Sequence, residues 1–265
     1  MPTTPAKNLL YRAALPILAP RSRGQMTHHV FGHPLTTLPN YERILAKHHV
    51  FGASLLLQDG ANCALCDTST ANPEHLAQEN TLYRVASITK MATALVTLRC
   101  IDNGLFALDS EAASLLPDGE KTPALSGVTV RQLLCHTSGL RDLPILDDCL
   151  KEGKPYTELL RQPEIRACAP GQQLIYSNFG FGLLGCILEQ QTGLCIEPLF
   201  QEMLFRPLHM RATLDASTLN EAEIMPITRV LPYRAGQELR VTALGRHPLQ
   251  KPNPLCHYGH TAGAM

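Results

Sequence analysis

Tyr83-Arg-Val-Ala-Ser-Ile-Thr-Lys90, continuing as Met91-Ala-Thr-Ala-Leu-Val-Thr-Leu-Arg-Cys-Ile-Asp-Asn103, is the stretch on which the fold turns. Ile88, Met91, Ala92, Leu95, Val96, Leu98 and Ile101 hold a 3.6-residue period and then overfill it. That pattern predicts a central, buried helix over residues 87–103, with Gly104 as its left-handed cap. Ser87 and Lys90 stand at i and i+3, on one face of the first turn. A serine hydroxyl is a weak nucleophile until a base lies within hydrogen-bond reach. A lysine in a partly apolar site can have its pKa lowered enough to serve. The helix start adds a positive field and free backbone N–H groups, which favour a developing oxyanion. Ser-x-x-Lys alone is weak evidence, since chance supplies it about once in a chain of this size.

Upstream, Asn40 can cap a short helix over residues 41–48. Phe51-Gly-Ala-Ser-Leu-Leu-Leu-Gln58 and the run over residues 61–67 flank Asp59-Gly60, a strong hairpin signal. Downstream, helices are expected over residues 130–135, 156–161, 178–192 (closed by Gly193) and 199–205 (stopped by Pro207). Pro226, Pro232, Pro248, Pro252 and Pro254 punctuate the remainder, which reads as loops with one short strand near residues 239–242.

The 265 residues allow one large domain or two modest ones, and 45% hydrophobic against 17% charged residues is ample for a core. Lys+Arg and Asp+Glu are 23 each, which argues against a general nucleic-acid binder or a polybasic membrane patch. No apolar run reaches the length of a membrane span. Residues 8–19 resemble a signal h-region but are broken by Arg12 and Pro16, so no signal peptide is read; Met26 is an alternative start. Nine cysteines is an odd number, and reduced thiols in a cytoplasmic protein fit better than a disulfide scaffold. Cys63 and Cys66 form a lone CxxC that also fits alternate positions on a strand. His28, His29, His33, His48 and His49 lack a further ligand at metal spacing and read as surface or helix-end residues.

Tyr176-Ser-Asn178 follows the Pro170-Gly171 turn and precedes a helix. A phenol beside an ammonium ionises more easily and can shuttle protons. An asparagine two residues on offers a donor and an acceptor to a substrate amide. The plainer reading is a capped loop with Asn178 as the helix N-cap.

Taken together, these stretches resemble the serine β-lactamase-like and penicillin-binding-protein-like hydrolases, closest to the class C β-lactamase and D-alanyl-D-alanine carboxypeptidase branch. The resemblance runs through Tyr83–Lys90, Asn103-Gly-Leu-Phe-Ala-Leu-Asp109, Leu133-Leu-Cys-His-Thr-Ser-Gly-Leu140, Tyr176-Ser-Asn-Phe-Gly180 and Pro207-Leu-His-Met-Arg-Ala-Thr213, in family order. The 89 residues from Ser87 to Tyr176 match the family's separation.

The resemblance implies an α+β fold: an antiparallel sheet flanked by helices plus a helical subdomain. It implies a poorly defined leader over residues 1–37 and a β-lactamase-like domain over residues 38–265, with a helical subdomain at about residues 105–212. Ser87 becomes the acylated nucleophile, Lys90 its base partner, Tyr176 the second proton-transfer group and Asn178 the substrate-amide contact. His136 and Ser138 belong to a segment read as structural support. A Cys135–His136 dyad is the sharper alternative, disfavoured because adjacent helical residues point about 100° apart. The implied partner is a small-molecule or peptide-like substrate, with no nucleic acid, metal or organic cofactor.

The family also needs a third motif on a strand, and His260-Thr261-Ala262 could be it. Its 84-residue distance from Tyr176 is short for that role. The same segment resembles an Ala-Gly-Gly-Met-like turn that opens a helix after the Pro-Leu-x-Met-x-x-Thr motif, and the 50 residues from Thr213 to Gly263 suit that reading better. On it the third motif and the C-terminal sheet strands are missing, the helix after Ser87 loses part of its cover, and activity is expected to be weak or absent. The rival expectation is a non-catalytic remnant that binds a peptide-like ligand.

Overall fold

Asp59 and Asn62 face each other across a tight turn in the computed structural model, with Gly60 in the left-handed region at φ +57°. Glycine takes that conformation without a β-carbon clash, and the hairpin signal read from Asp59-Gly60 is realised there. The structure describes residues 26–31, 52–60, 62–69, 81–117, 122–146, 155–220, 223–224, 227–231, 240–245 and 261–262. The helix expected over residues 41–48, along with His33, His48, His49 and His260, lies outside them. The chain divides into two compact units, residues 1–83 with 219–248, and residues 84–218 with 249–265.

In the first unit, β1 (Met26–Phe31), β2 (Gly52–Asp59) and β3 (Asn62–Ser69) form an antiparallel sheet in the order β1-β3-β2. Cys66 pairs with Leu55 on one side and His28 on the other, so β3 is central. Cys63 and Cys66 thus lie on a strand. Thr27-His28-His29 breaks any apolar alternation in Met26–Phe31, and pairing to β3 makes it a strand. His28 and His29 are therefore strand residues rather than helix-end ones. A second antiparallel pair joins β4 (Ile227–Leu231) and β5 (Arg240–Gly245), with a register shift between Thr228 and Val230. The strand expected near residues 239–242 is β5. β4 forms where the flanking Pro226 and Pro232 predict loop.

The second unit is helical. It comprises α1 (Thr89–Asp102), entered through a 3-10 turn at Ala86–Ile88, then α2 (Val130–Leu134), α3 (Tyr156–Leu160), α4 (Asn178–Thr192) and α5 (Ile196–Phe200). A π-helical turn, Gln201–Phe205, continues α5. The core is built round α4, whose residues 179–188 are all buried. It packs against α1, α2, α5 and the turn Ala112–Leu115. Gly193, at φ +70°, ends it as expected. α2 begins at a capping box in which Thr129 and Gln132 bond reciprocally. α5 starts at Ile196, earlier than residue 199, because the Glu189 carboxylate accepts Ile196 N–H at 2.6 Å. Pro198 sits in its first turn, where its missing N–H has no partner to lose.

α1 has two faces. Ala92, Thr93, Val96, Thr97 and Cys100 are buried, whereas Ile88, Met91, Leu95 and Leu98 are exposed, Met91 at 67%. The helix is therefore not covered on most sides, although its sequence is apolar enough to be. Among the described residues, no single helix is long and apolar enough to cross a membrane.

Candidate active site

Ala86 sets up the site from the backbone. It holds φ +48°, a left-handed conformation that a residue with a β-carbon adopts at a cost of about 1–3 kcal/mol. Its carbonyl accepts the Thr89 hydroxyl at 2.6 Å, and Ser87 follows in the 3-10 turn, with its side chain exposed.

Lys90 stands one turn on and is only 7% exposed. Its ammonium has three donors. Three acceptors meet them: Asn178 Oδ1 at 2.7 Å, the Ala262 carbonyl at 2.7 Å and Ser87 Oγ at 3.3 Å. Nζ also lies 4.8 Å from the Tyr176 ring centroid and 5.5 Å from that of Phe181. Tyr176 Oη donates to Ser87 Oγ at 2.8 Å. Burial pushes the Tyr176 phenol up, but hydrogen bonding to Lys90 and Ser87 and the Lys90 charge outweigh it, so its pKa lies below the ordinary tyrosine value. Half of the Tyr176 side chain is open to solvent.

The structure thus brings Ser87, Lys90, Tyr176 and Asn178 into one hydrogen-bonded cluster. Asn178 is not the cap of α4. Ser177 is, at φ −133°, its hydroxyl accepting Gly180 N–H at 2.9 Å. One residue inside the helix, the Asn178 amide is free to face Lys90.

The Leu133–Leu140 segment supports this turn from behind. His136 holds φ +59°, accepts Ser177 N–H on Nδ1 at 3.2 Å, and accepts Ile175 N–H on its carbonyl at 2.7 Å. Its ring centroid is 4.5 Å from that of Tyr176 and 5.1 Å from that of Phe181. Burial, then the Lys90 charge, hold its pKa below the ordinary histidine value, against an opposing pull from Asp142. Ser138 is buried and accepts Leu140 N–H. Cys135 is exposed and makes no hydrogen bond to His136, so the dyad is not formed.

Sequence reasoning missed Asp142. Its carboxylate accepts Asn178 Nδ2 at 2.7 Å, Phe179 N–H at 2.9 Å, Asn178 N–H at 3.2 Å and the Ser177 hydroxyl at 3.3 Å. No local pattern joins an aspartate to a helix start 36 residues later.

Thr261 and Ala262 are buried and helical. The Thr261 hydroxyl donates to the Phe181 carbonyl, and the Thr261 carbonyl accepts the Thr93 hydroxyl, both at 2.7 Å. The helix-opening reading of this segment fits; the strand that a third motif requires does not. The other two shared stretches are braced by charged side chains. Arg131 binds both Asp109 oxygens, at 2.8 and 3.0 Å, and lowers the carboxyl's pKa. Glu197 accepts the Thr213 hydroxyl and Leu214 N–H at 2.8 and 2.6 Å. Among the described residues, no group of three or more His, Cys, Asp or Glu side chains is placed to hold a metal ion.

A family model described as beta-lactamase matches residues 40–249. Penicillin-binding protein 4 of Amycolatopsis lactamdurans is 28% identical over 225 residues, covering 76% of this chain and 58% of that protein. The D-alanyl-D-alanine-carboxypeptidase/endopeptidase AmpH of Escherichia coli (strain K12) is 30% identical over 146 residues, covering 51% of this chain and 37% of that protein. A class C beta-lactamase crystal structure superposes with a TM-score of 0.61 at 21% identity, covering 84% of this chain and 58% of that one. The chain therefore spans about half the length of the curated relatives it matches.

Proposed function

The chain belongs to the beta-lactamase family, and on that premise we propose that it is a serine hydrolase working through an acyl-enzyme on a small ester or amide. A β-lactam, a D-alanyl peptide and a simple ester are the candidate substrates. The observation that carries the reading is the convergence of Tyr176 Oη and Lys90 Nζ on Ser87 Oγ, at 2.8 and 3.3 Å.

In the proposed reaction, Tyr176 first gives up its phenol proton to solvent; Ser87 Oγ then attacks the substrate carbonyl and forms a C–O bond while its proton passes to the Tyr176 phenolate. Lys90, with three acceptors around its Nζ, favours the ionised Tyr176 through its hydrogen bond and charge. The tetrahedral oxyanion faces the start of the Ala86–Ile88 turn, where backbone N–H groups lack intrahelical partners. Collapse breaks the bond to the leaving group, which takes the proton from Tyr176. Water then attacks the ester carbonyl, gives its proton to Tyr176, and releases the acid as Ser87 recovers its hydroxyl hydrogen. Asn178, adjoining Lys90, contacts the substrate amide.

A panel of nitrocefin, a D-alanyl-D-alanine peptide and p-nitrophenyl esters, assayed on the whole chain beside Ser87→Ala, tests this. Turnover of at least one that is lost in Ser87→Ala supports the reading. Binding without turnover or acylation would favour the ligand-binding alternative.

A further inference from the structure

Asn178 is held between two groups of opposite hydrogen-bonding character. An ionised carboxylate only accepts and an ammonium only donates, whereas the Asn amide does both. Asp142 Oδ2 lies 2.7 Å from Nδ2 and Lys90 Nζ lies 2.7 Å from Oδ1. Turning the amide over would set its NH₂ against the Lys90 donors and its carbonyl against the Asp142 acceptor. Only one orientation satisfies both neighbours.

Asp142 is itself fixed. Leu140 bridges to Arg166, Arg141 N–H donates to the Ile165 carbonyl at 3.0 Å, and Arg141 Nε donates to the Glu164 carbonyl at 2.6 Å. The loop before Asp142 is thus tied to the 164–166 segment, and the carboxylate reaches α4 from a braced backbone. It takes the first two N–H groups of α4 as well as the Asn178 side chain. Those two N–H groups alone would make it a helix cap; the third contact links it to the reacting cluster.

From this we infer that Asp142 is a positioning residue for the Ser87 reaction: its carboxylate sets the Asn178 amide so that Oδ1 holds the Lys90 ammonium between Ser87 and Ala262. The inference rests on the proposed acyl-enzyme chemistry. Misplacement of a catalytic group by about 1 Å can slow a reaction on the order of 10²-fold, so losing this orientation is expected to show as rate.

The test is a set of variants of the whole chain, read by the rate of covalent labelling with a fluorescent penicillin or fluorophosphonate and by urea unfolding. Asp142→Asn keeps the shape but points an NH₂ at donors; labelling is expected to slow about 10–100-fold. In an Asn178→Ala background the same change is expected to slow labelling less than about 3-fold, because contacting residues are non-additive. An equal slowing in both backgrounds means a plain helix cap and overturns the inference. Asn178→Asp sets two carboxylates together and is expected to lose labelling; adding Asp142→Asn restores a complementary pair and is expected to recover it at least 10-fold, as order of magnitude. No recovery in a folded double variant overturns the inference. If the parent chain does not label, the proposed function falls. The Asp142–Asn178 contact is then judged by the unfolding cycle, where non-additivity supports it and additivity overturns it.

Discussion

Gly139 and Gly193 share a backbone conformation but not a neighbourhood. Their φ angles are +76° and +70°. A β-carbon at Gly193 would meet nothing within 4 Å, whereas one at Gly139 would fall 2.2 Å from the Cys168 carbonyl oxygen and 3.1 Å from its carbon. The left-handed conformation costs an L-residue about 1–2 kcal/mol, which is all that Gly193→Ala should lose. Gly139→Ala carries that cost plus the overlap. The obstacle is backbone, and it cannot swing away freely: Ala167 N–H donates to the Gly139 carbonyl at 2.8 Å and Arg141 N–H to Ile165 at 3.0 Å. Forcing atoms into such a close-packed place costs about 1–3 kcal/mol. The expected losses are therefore about 2–5 kcal/mol for Gly139→Ala and about 1–2 for Gly193→Ala. Urea unfolding of the two variants beside the parent reads the difference. The Gly139 loop also carries His136 and Asp142, so labelling of Ser87 should slow in Gly139→Ala below its unfolding midpoint and stay unchanged in Gly193→Ala. Matching midpoints would refute the close approach of the two segments.

Tyr176→Phe removes the 2.8 Å bond to Ser87; acylation is expected to slow about 10²–10⁴-fold with little change in stability, and an unchanged rate would remove Tyr176 from the proton path. In the parent chain, phenolate absorbance should show one tyrosine ionising below the ordinary range, since its pKa is lowered, and that component should vanish in Tyr176→Phe. The folded pKa of His136 is depressed, so the unfolded chain binds its proton first. Stability should be full above about pH 6.5 and decline as pH falls toward the lower folded value, and His136→Gln should flatten that part of the profile. Replacing Met91 and Leu95 by lysine should alter stability by no more than about 0.5 kcal/mol while reducing binding of an apolar dye, because both lie on the exposed face of α1.

The legible parts were those with local causes. The β2–β3 hairpin followed from Asp59-Gly60, α4 from an apolar run closed by Gly193, and the pairing of Ser87 with Lys90 from i and i+3 spacing. The meeting of Tyr176 and Asn178 with that pair came through family resemblance, since 89 residues separate Tyr176 from Ser87. What escaped has distant causes. β1 is a strand because β3 offers it an edge, not because Met-Thr-His-His-Val-Phe alternates. Asp142 matters through a helix start far along the chain. The strain at Ala86 and His136 leaves no mark in residue type, since glycine is the usual signal for positive φ and neither is glycine. The buried face of α1 carries Thr93 and Thr97 while the exposed face carries Met91, Leu95 and Leu98, so apolar periodicity alone could not tell which side was covered.

The central claim is that Ser87 is the acylated nucleophile. Incubating the folded 265-residue chain with a fluorophosphonate, then taking its intact mass and mapping the modified peptide, addresses that claim at the atom concerned. The expected result is one adduct per chain, on Ser87, absent from Ser87→Ala and slowed in Tyr176→Phe. A folded chain that takes no adduct, or takes it on another serine such as Ser138 or Ser177, would contradict the account.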